Sequence, residues 1–130
     1  MIVLDASAAI DWLLQSPEGK EIESRIFSRN ESLHAPHLLD LEVTQVLRRL
    51  VRQHTIADRR ADEALRDLLD MRITRYMHAL LLPRIWQLRH NFSAYDAAYV
   101  ALAETLGASL VTRDSRLSSG SNHGAVVEVF

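Results

Sequence analysis

Strand-like and helix-like segments alternate along this chain, and this alternation limits the possible folds more than any other feature of its sequence. Short apolar runs predict strands at Met1–Leu4, Ser32–Ala35, Ile73–Met77, Ala108–Thr112 and Val126–Phe130. The stretches between them predict helices over Ala8–Leu14, Pro17–Phe27, Leu38–Gln53, Ala57–Leu69, Leu81–His90 and Ala94–Leu106. Such alternation indicates an α/β fold with a mainly parallel central sheet and helices on both faces.

Local signals place several ends of these elements. Three serines occupy positions suited to helix N-caps, namely Ser7, Ser16 and Ser93. Gly107 suits the C-terminal cap of the helix that follows Ser93. Thr55–Asp58 predicts a tight turn between two helices, which would then form an antiparallel hairpin. Ser118–Gly124 predicts a mobile loop near the C-terminus.

Composition excludes several classes of protein. The 130 residues suffice for one domain. The absence of cysteine excludes disulfide scaffolds, thiol catalysis and thiolate metal sites, and it suits a reducing cytoplasm. The only lysine, Lys20, lies in no glycine-rich loop, so we expect no nucleotide cofactor. Asp5 and Asp11 argue against a signal peptide, and no apolar run approaches the roughly 18 residues of a membrane helix.

Four acidic residues fall at one edge of the predicted sheet. Ligands of open parallel sheets bind beyond the carboxyl ends of the strands, and right-handed crossovers bring the start of each following helix to that edge. The predicted elements place there Asp5, Glu42, Asp96 and Asp114. Acids from distant parts of the chain therefore converge on one region.

Two of these acids lie beside apolar stripes. Asp96 shares a helix face with Tyr99 and Val100, and Glu42 shares one with Leu39. Clustered carboxylates in a low dielectric repel one another, and their pKa values rise unless a cation compensates. Oxygen ligands without cysteine or a histidine cluster favour Mg²⁺ or Mn²⁺ over zinc.

Each acid taken alone also has a simple structural explanation. Asp96 and Ser93 resemble a capping box, Asp114 could begin a turn, and Glu42 could solvate a helix flank. Asp5 is harder to explain, because an aspartate that closes an apolar strand seldom serves the core. The joint placement of the acids is what indicates a function.

The segments that carry these acids resemble the motifs of PIN-domain ribonucleases. Ile2–Ala8 is similar to the opening motif, Pro36–Val43 to the second, Tyr95–Ala103 to the third and Leu110–Asp114 to the fourth. The similarity covers essentially the whole chain in the family's order and spacing. At this length the chain looks most like a VapC-type toxin of a prokaryotic toxin–antitoxin pair. The resemblance implies a PIN-like three-layer fold as a single domain over residues 1–130.

The resemblance also implies an activity, a metal-dependent endoribonuclease. The four acids would hold one or two Mg²⁺ or Mn²⁺ ions, which activate water for in-line attack on an RNA phosphodiester and stabilise the leaving oxygen. The expected products carry a 5′-phosphate and a 3′-hydroxyl. Ser7 and Thr112 lie two residues from an acid, and we assign them hydrogen bonds to the metal ligands or to metal-bound water. A helix cap for Ser7 and a filler role for Thr112 are the alternatives.

Two protein partners follow from the same resemblance. Family members commonly form homodimers and are silenced by a small antitoxin that covers the site, so we expect both partners in the cytoplasm. Ala8–Leu14 carries apolar residues on more than one helix face, which predicts an exposed apolar stretch for such a partner.

Five arginines belong to the predicted hairpin tip: Arg48, Arg49, Arg52, Arg59 and Arg60. They could bind RNA phosphates, bind acids of the antitoxin or of a second subunit, or form a solvated face. The net charge is −2, of which the four acids supply −4, so the remaining surface carries about +2 and is compatible with RNA.

The remaining candidates have structural interpretations. His34 and His37 have metal-ligand spacing but flank Pro36, so we expect surface-loop histidines. Trp12 and Trp86 lie among leucines, which favours a core or oligomer contact over base stacking.

Three other functions fit parts of the pattern. A phosphoryl-transfer domain could use Asp5 as its nucleophile, but the expected Asp-x-Asp pattern and downstream lysine are missing. A non-catalytic RNA- or protein-binding module of the same fold would tolerate alanine at the four acids, whereas the nuclease needs them. A housekeeping RNA-processing nuclease of the same fold is the third alternative.

Overall fold

A five-stranded parallel sheet forms the centre of the molecule. The computed structural model describes residues 1–119 and 122–130. Its strands are β1 (Ile2–Leu4), β2 (Leu33–Pro36), β3 (Ile73–Tyr76), β4 (Ser109–Thr112) and β5 (Val126–Val129). Their spatial order is β3-β2-β1-β4-β5, and every neighbouring pair is parallel. The predicted α/β class and parallel sheet are confirmed.

Helices connect and flank these strands. They are α1 (Ala6–Leu13), α2 (Pro17–Ser28), α3 (Leu38–Arg52), α4 (Asp58–Asp70), α5 (Leu82–Gln87) and α6 (Ala94–Leu106). Single 3₁₀ turns cover Ala79–Leu81 and Ser115–Leu117. The helix predicted over Leu81–His90 is shorter, because a 3₁₀ turn precedes it and α5 ends at Gln87. No helix of the described chain has the length and apolar character needed to cross a membrane.

Helix α1 begins earlier than its sequence suggests. Asp5, not Ser7, is the N-cap, and its Oδ1 accepts a hydrogen bond from Ala8 N at 3.0 Å. Helix α2 then crosses α1 so closely that a Cβ on Gly19 would lie 1.9 Å from the Asp11 carbonyl oxygen. A glycine is therefore required at this crossing.

Helix α6 supplies the most continuous buried surface in the described chain. Every residue from Ala97 to Ala103 is buried, and the helix packs against β1, β2 and β4. Small side chains allow this close approach to the sheet. Strand β1, in the middle of the sheet, is fully buried as well.

The prediction of an exposed apolar stretch over Ala8–Leu14 is wrong. Ala8, Ala9, Ile10 and Leu13 are buried, because α1 packs against α2 and α3 and also against β4. Its apolar residues lie on more than one face since it has neighbours on more than one side.

The prediction that His34 lies in a surface loop is also wrong. His34 is buried within β2, with Nε2 2.9 Å from Ser32 Oγ and Nδ1 2.8 Å from Tyr76 Oη. His37 is exposed in the turn before α3, as expected.

The two tryptophans differ in exposure. Trp12 is half-buried in an edge-to-face contact with Phe27, whereas Trp86 is 67% exposed.

The predicted mobile loop, Ser118–Gly124, includes residues 120 and 121, which lie outside the described residues. The loop's described end is held by side chains of Arg84 and Glu104.

Candidate active site

All four predicted acids line one cavity of about 580 Å³ at the carboxyl edge of the sheet. Asp5 follows β1, and Asp114 follows β4 after one intervening residue. Glu42 lies in the second turn of α3 and Asp96 in the first turn of α6. The parallel topology thus brings together residues that are more than 100 positions apart in the chain.

Asp5 is the most buried of these acids, with 5% of its surface exposed. Its Oδ1 accepts a hydrogen bond from Ser7 Oγ at 2.7 Å, and its Oδ2 accepts a short one from Thr112 Oγ1. Burial raises the pKa of Asp5, the hydrogen bonds from Thr112, Ala8 and Ser7 oppose this rise, and the charge of Asp114 adds to it. The carboxylate is fixed in orientation and costly to ionise unless a cation lies nearby.

Ser7 and Thr112 also tie Asp5 to the end of β4. Ser7 Oγ accepts a hydrogen bond from Arg113 N at 2.9 Å, and Thr112 Oγ1 accepts one from Asp114 N at 2.9 Å. Each hydroxyl therefore donates to the Asp5 carboxylate while accepting from the backbone that leads to Asp114. The two hydroxyls set the relative position of two of the four acids.

Glu42 has a partner that the sequence did not reveal. Tyr99 Oη donates a hydrogen bond of 2.6 Å to Glu42 Oε1, and Tyr99 is 2% exposed. Burial raises the pKa of Glu42, the Tyr99 hydrogen bond opposes this, and the charges of Asp96 and Asp5 add to it. Burial and the neighbouring Glu42 raise the pKa of Tyr99 as well. The one available signal was that Tyr99 lies one turn after Asp96.

Asp96 is the acid with the fewest contacts. Ser93 Oγ caps α6 by accepting a hydrogen bond from Asp96 N at 3.1 Å. The Asp96 carboxylate has no hydrogen bond or ion pair within residues 1–119 and 122–130. The serine half of the suggested capping box is present, and the carboxylate is left free to bind a ligand.

Asp114 is paired with an arginine that sequence reasoning passed over. Arg116 Nη2 lies 2.5 Å from Asp114 Oδ2, and Arg116 Nε lies 3.0 Å from Oδ1. These hydrogen bonds hold the pKa of Asp114 below its usual value. The cavity thus contains two carboxylates with raised pKa and one that is already neutralised by a cation.

The donor set suits a hard divalent cation, because carboxylate oxygens are the ligands that Mg²⁺ and Mn²⁺ prefer. Within the described residues, no three His, Asp or Glu side chains are arranged to enclose an ion. Three of the four carboxylates instead engage the protein donors named above. A carboxylate has about four acceptor positions, so a hydroxyl that donates to one oxygen of Asp5 or Glu42 leaves further positions for a cation.

The predicted arginine cluster is distributed over different surfaces. Arg49 lines the acidic cavity. Arg48 and Arg52 lie on a different face of α3 and line a groove between α3 and α4. Arg60 Nη2 donates to the Leu13 carbonyl at 2.7 Å. Arg59 is 92% exposed at its side chain and lies 3.6 Å from Glu63. Arg49 is therefore the one hairpin arginine at the acidic site.

Comparison with known proteins identifies the relatives of this chain. A profile of the PIN domain matches residues 2–121. Ribonuclease VapC9 of Mycobacterium tuberculosis is 44% identical over 118 residues, covering 91% of this chain and 89% of that protein. Ribonuclease VapC12 of the same organism is 38% identical over 129 residues, covering 99% and 98%. The same fold occurs in a chain of the crystal structure of VapBC2 from Rickettsia felis, bound to a DNA fragment from their promoter. The TM-score is 0.72 at 14% sequence identity, and the match covers 100% of this chain and 99% of that chain.

Proposed function

Because this chain belongs to the PIN domain family, we propose that it is an endoribonuclease and acts as the toxin of a type II toxin–antitoxin pair. The ribonuclease names of VapC9 and VapC12, at 44% and 38% identity, support the activity. The observation that carries the proposal is the convergence of Asp5, Glu42, Asp96 and Asp114 on one cavity. A fold retained for packing alone has no need for four acids at this edge.

We propose that these four residues hold Mg²⁺ or Mn²⁺. When bound there, a cation would supply the charge that activates water for attack on the phosphodiester and that stabilises the leaving oxygen. Asp5 is the fixed member of the set, because Ser7 and Thr112 hold both of its oxygens. Tyr99 orients Glu42 in the same way. Carboxylates positioned by neighbouring hydroxyls lose less freedom when they bind an ion.

RNA would enter across the open side of the cavity, where Arg49 provides a positive charge beside the acids. A guanidinium here can bind a backbone phosphate next to the one that is cleaved. This arrangement supports a polyanionic substrate although the chain's net charge is −2.

The activity can be tested with the purified chain and total RNA. We expect cleavage with Mg²⁺ or Mn²⁺, none after chelation with EDTA, and restoration when the cation is added back. Sequencing of the cleaved ends should find a 5′-phosphate and a 3′-hydroxyl, and it identifies the RNA. Cleavage that continues in EDTA would contradict the metal-dependent assignment.

We further propose that residues 1–130 form a single domain that works in the cytoplasm as a homodimer with a cognate antitoxin. Support comes from one continuous sheet and from an exposed apolar group on and near α5, formed by Met77, Leu80, Leu82 and Trp86. Large exposed apolar side chains are typical of surfaces that another chain covers.

Expression of this chain alone tests the toxin role. We expect growth arrest that co-expression of the neighbouring antitoxin gene relieves, and no arrest with Asp5→Ala. Unaffected growth despite demonstrable RNA cleavage would favour a housekeeping nuclease instead.

A further inference from the structure

Among the four acids of the cavity, Asp114 alone is paired with a cation of the described chain. Arg116 Nε lies 3.0 Å from Oδ1 and 3.1 Å from Oδ2, and Arg116 Nη2 lies 2.5 Å from Oδ2. Both carboxylate oxygens are therefore occupied by one guanidinium. Asp5 and Glu42 differ, because their side-chain partners are neutral hydroxyls.

Arg116 is held only loosely in this position. Its side chain is 80% exposed, and within the described residues its guanidinium makes no hydrogen bond or ion pair other than those with Asp114. It extends from the one-turn 3₁₀ helix Ser115–Leu117 at the rim of the cavity. Ion pairs with such exposure are weak, since water and salt screen them. The guanidinium can leave Asp114 at little cost.

A divalent cation and this guanidinium compete for the same oxygen atoms. A cation bound by Asp114 needs at least one of the lone pairs that Arg116 now occupies, and the two positive charges repel each other. Asp96 also attracts the Arg116 guanidinium, and this attraction would keep a displaced Arg116 near the cavity. A phosphate group of RNA at the cavity would be its nearest anion, and a guanidinium binds phosphate with two parallel hydrogen bonds.

We propose that Arg116 is an exchangeable counterion that neutralises Asp114 in the metal-free protein and contacts the RNA backbone when a divalent cation occupies the site. This inference rests on the proposed metal-dependent nuclease function. It assigns to Arg116 two opposite effects, which are competition with the metal and assistance to RNA binding. No purely structural role of an exposed arginine has both effects.

The test compares Arg116→Gln with Arg66→Gln, which removes the same charge from an exposed position on α4. Mn²⁺ binding is measured by titration calorimetry without RNA, and KM and kcat are measured on a single-stranded RNA. We expect Arg116→Gln to bind Mn²⁺ about two- to fivefold more tightly than the wild-type protein, as removal of a weak exposed ion pair predicts. We expect its KM to rise. The slope of log RNA affinity against log salt concentration should flatten by about 0.7, because one phosphate contact is lost.

Other outcomes separate the explanations. Weaker Mn²⁺ binding by Arg116→Gln would show that Arg116 positions Asp114, and an unchanged Mn²⁺ affinity or KM would equally overturn the exchange. Arg116→Lys keeps the charge without the fork of donors, so its Mn²⁺ affinity should lie between those of wild type and Arg116→Gln. A wild-type protein that binds no Mn²⁺ would overturn the proposed function itself and this inference with it.

Discussion

At the scale of single residues, the hydroxyl of Tyr99 is the contact that best separates structure from activity. Tyr99→Phe removes the hydrogen bond to Glu42, and a bond to a charged group contributes about 1.5–3 kcal/mol. Tyr76→Phe is the matched control, because it removes a hydrogen bond to buried His34 outside the cavity. We expect both variants to lose stability in urea and only Tyr99→Phe to lose RNA cleavage. Equal cleavage by the two variants would contradict the positioning of Glu42 by Tyr99.

Also at the residue scale, the arginines of the α3–α4 hairpin should differ in their effects on RNA. Arg49→Ala should weaken RNA binding and flatten its salt dependence by about 0.7, because Arg49 lines the acidic cavity. Arg52→Ala, in the groove between α3 and α4, should leave the slope unchanged. Binding titrations over a range of salt concentrations measure these slopes. Identical slopes for both variants would contradict a contact between Arg49 and RNA.

At the scale of elements, the crossing of α1 and α2 depends on one glycine. Gly19→Ala places a Cβ against the Asp11 carbonyl, a backbone atom that cannot move aside, and such overpacking costs about 1–3 kcal/mol. Gly124→Ala meets no atom within 4 Å and serves as the control. Thermal unfolding should show a lower Tm for Gly19→Ala alone. A Tm equal to that of wild type would mean that the two helices are not so closely packed.

The ion pair that attaches edge strand β5 to α2 predicts that the stability of the fold depends on pH. Arg25 Nε and Nη2 each lie 2.8 Å from an oxygen of Glu128, and these hydrogen bonds lower the pKa of Glu128. Because the pKa of Glu128 is lower in the folded protein than in the unfolded chain, its ion pair stabilises the fold fully above the unfolded pKa of about 4.3. This contribution is lost as the pH falls through the folded-state pKa. Glu128→Gln should therefore destabilise the protein by about 1–2 kcal/mol at neutral pH and flatten the loss of stability below about pH 5. Urea unfolding at neutral pH and below about pH 5 measures these stabilities, with exposed Glu21→Gln as the control. Parallel pH profiles of stability for Glu128→Gln and the wild-type protein would contradict the prediction.

The elements themselves were largely predictable, and their environments were not. Apolar runs and serine caps located the strands and most helices, because these signals act over a few residues. The burial of α1 and of His34 depends on which elements pack beside them, and no local pattern records that. For the same reason the sequence predicted Asp5 and Asp114 at one edge but missed Tyr99 and Arg116, whose roles arise only from side-chain geometry.

At the scale of the whole molecule, the parallel topology is what turns scattered acids into a site. Strands β1 and β4 are neighbours in the sheet although more than 100 residues separate them, so Asp5 and Asp114 emerge side by side. Helices α3 and α6 bring Glu42 and Asp96 to the same cavity. The proposed activity therefore depends on these four carboxylates acting together in metal binding.

Asp96→Asn tests that claim most directly, because the Asp96 side chain has no partner in the described residues whose loss would disturb the fold. Cleavage of RNA and calorimetric Mn²⁺ binding are measured on this variant, with exposed Asp70→Asn as the control of equal charge. We expect Asp96→Asn to abolish cleavage and weaken Mn²⁺ binding by more than about tenfold, with a Tm that is unchanged or slightly higher because mutual repulsion falls. Near-normal cleavage by the purified Asp96→Asn protein would contradict the shared metal site.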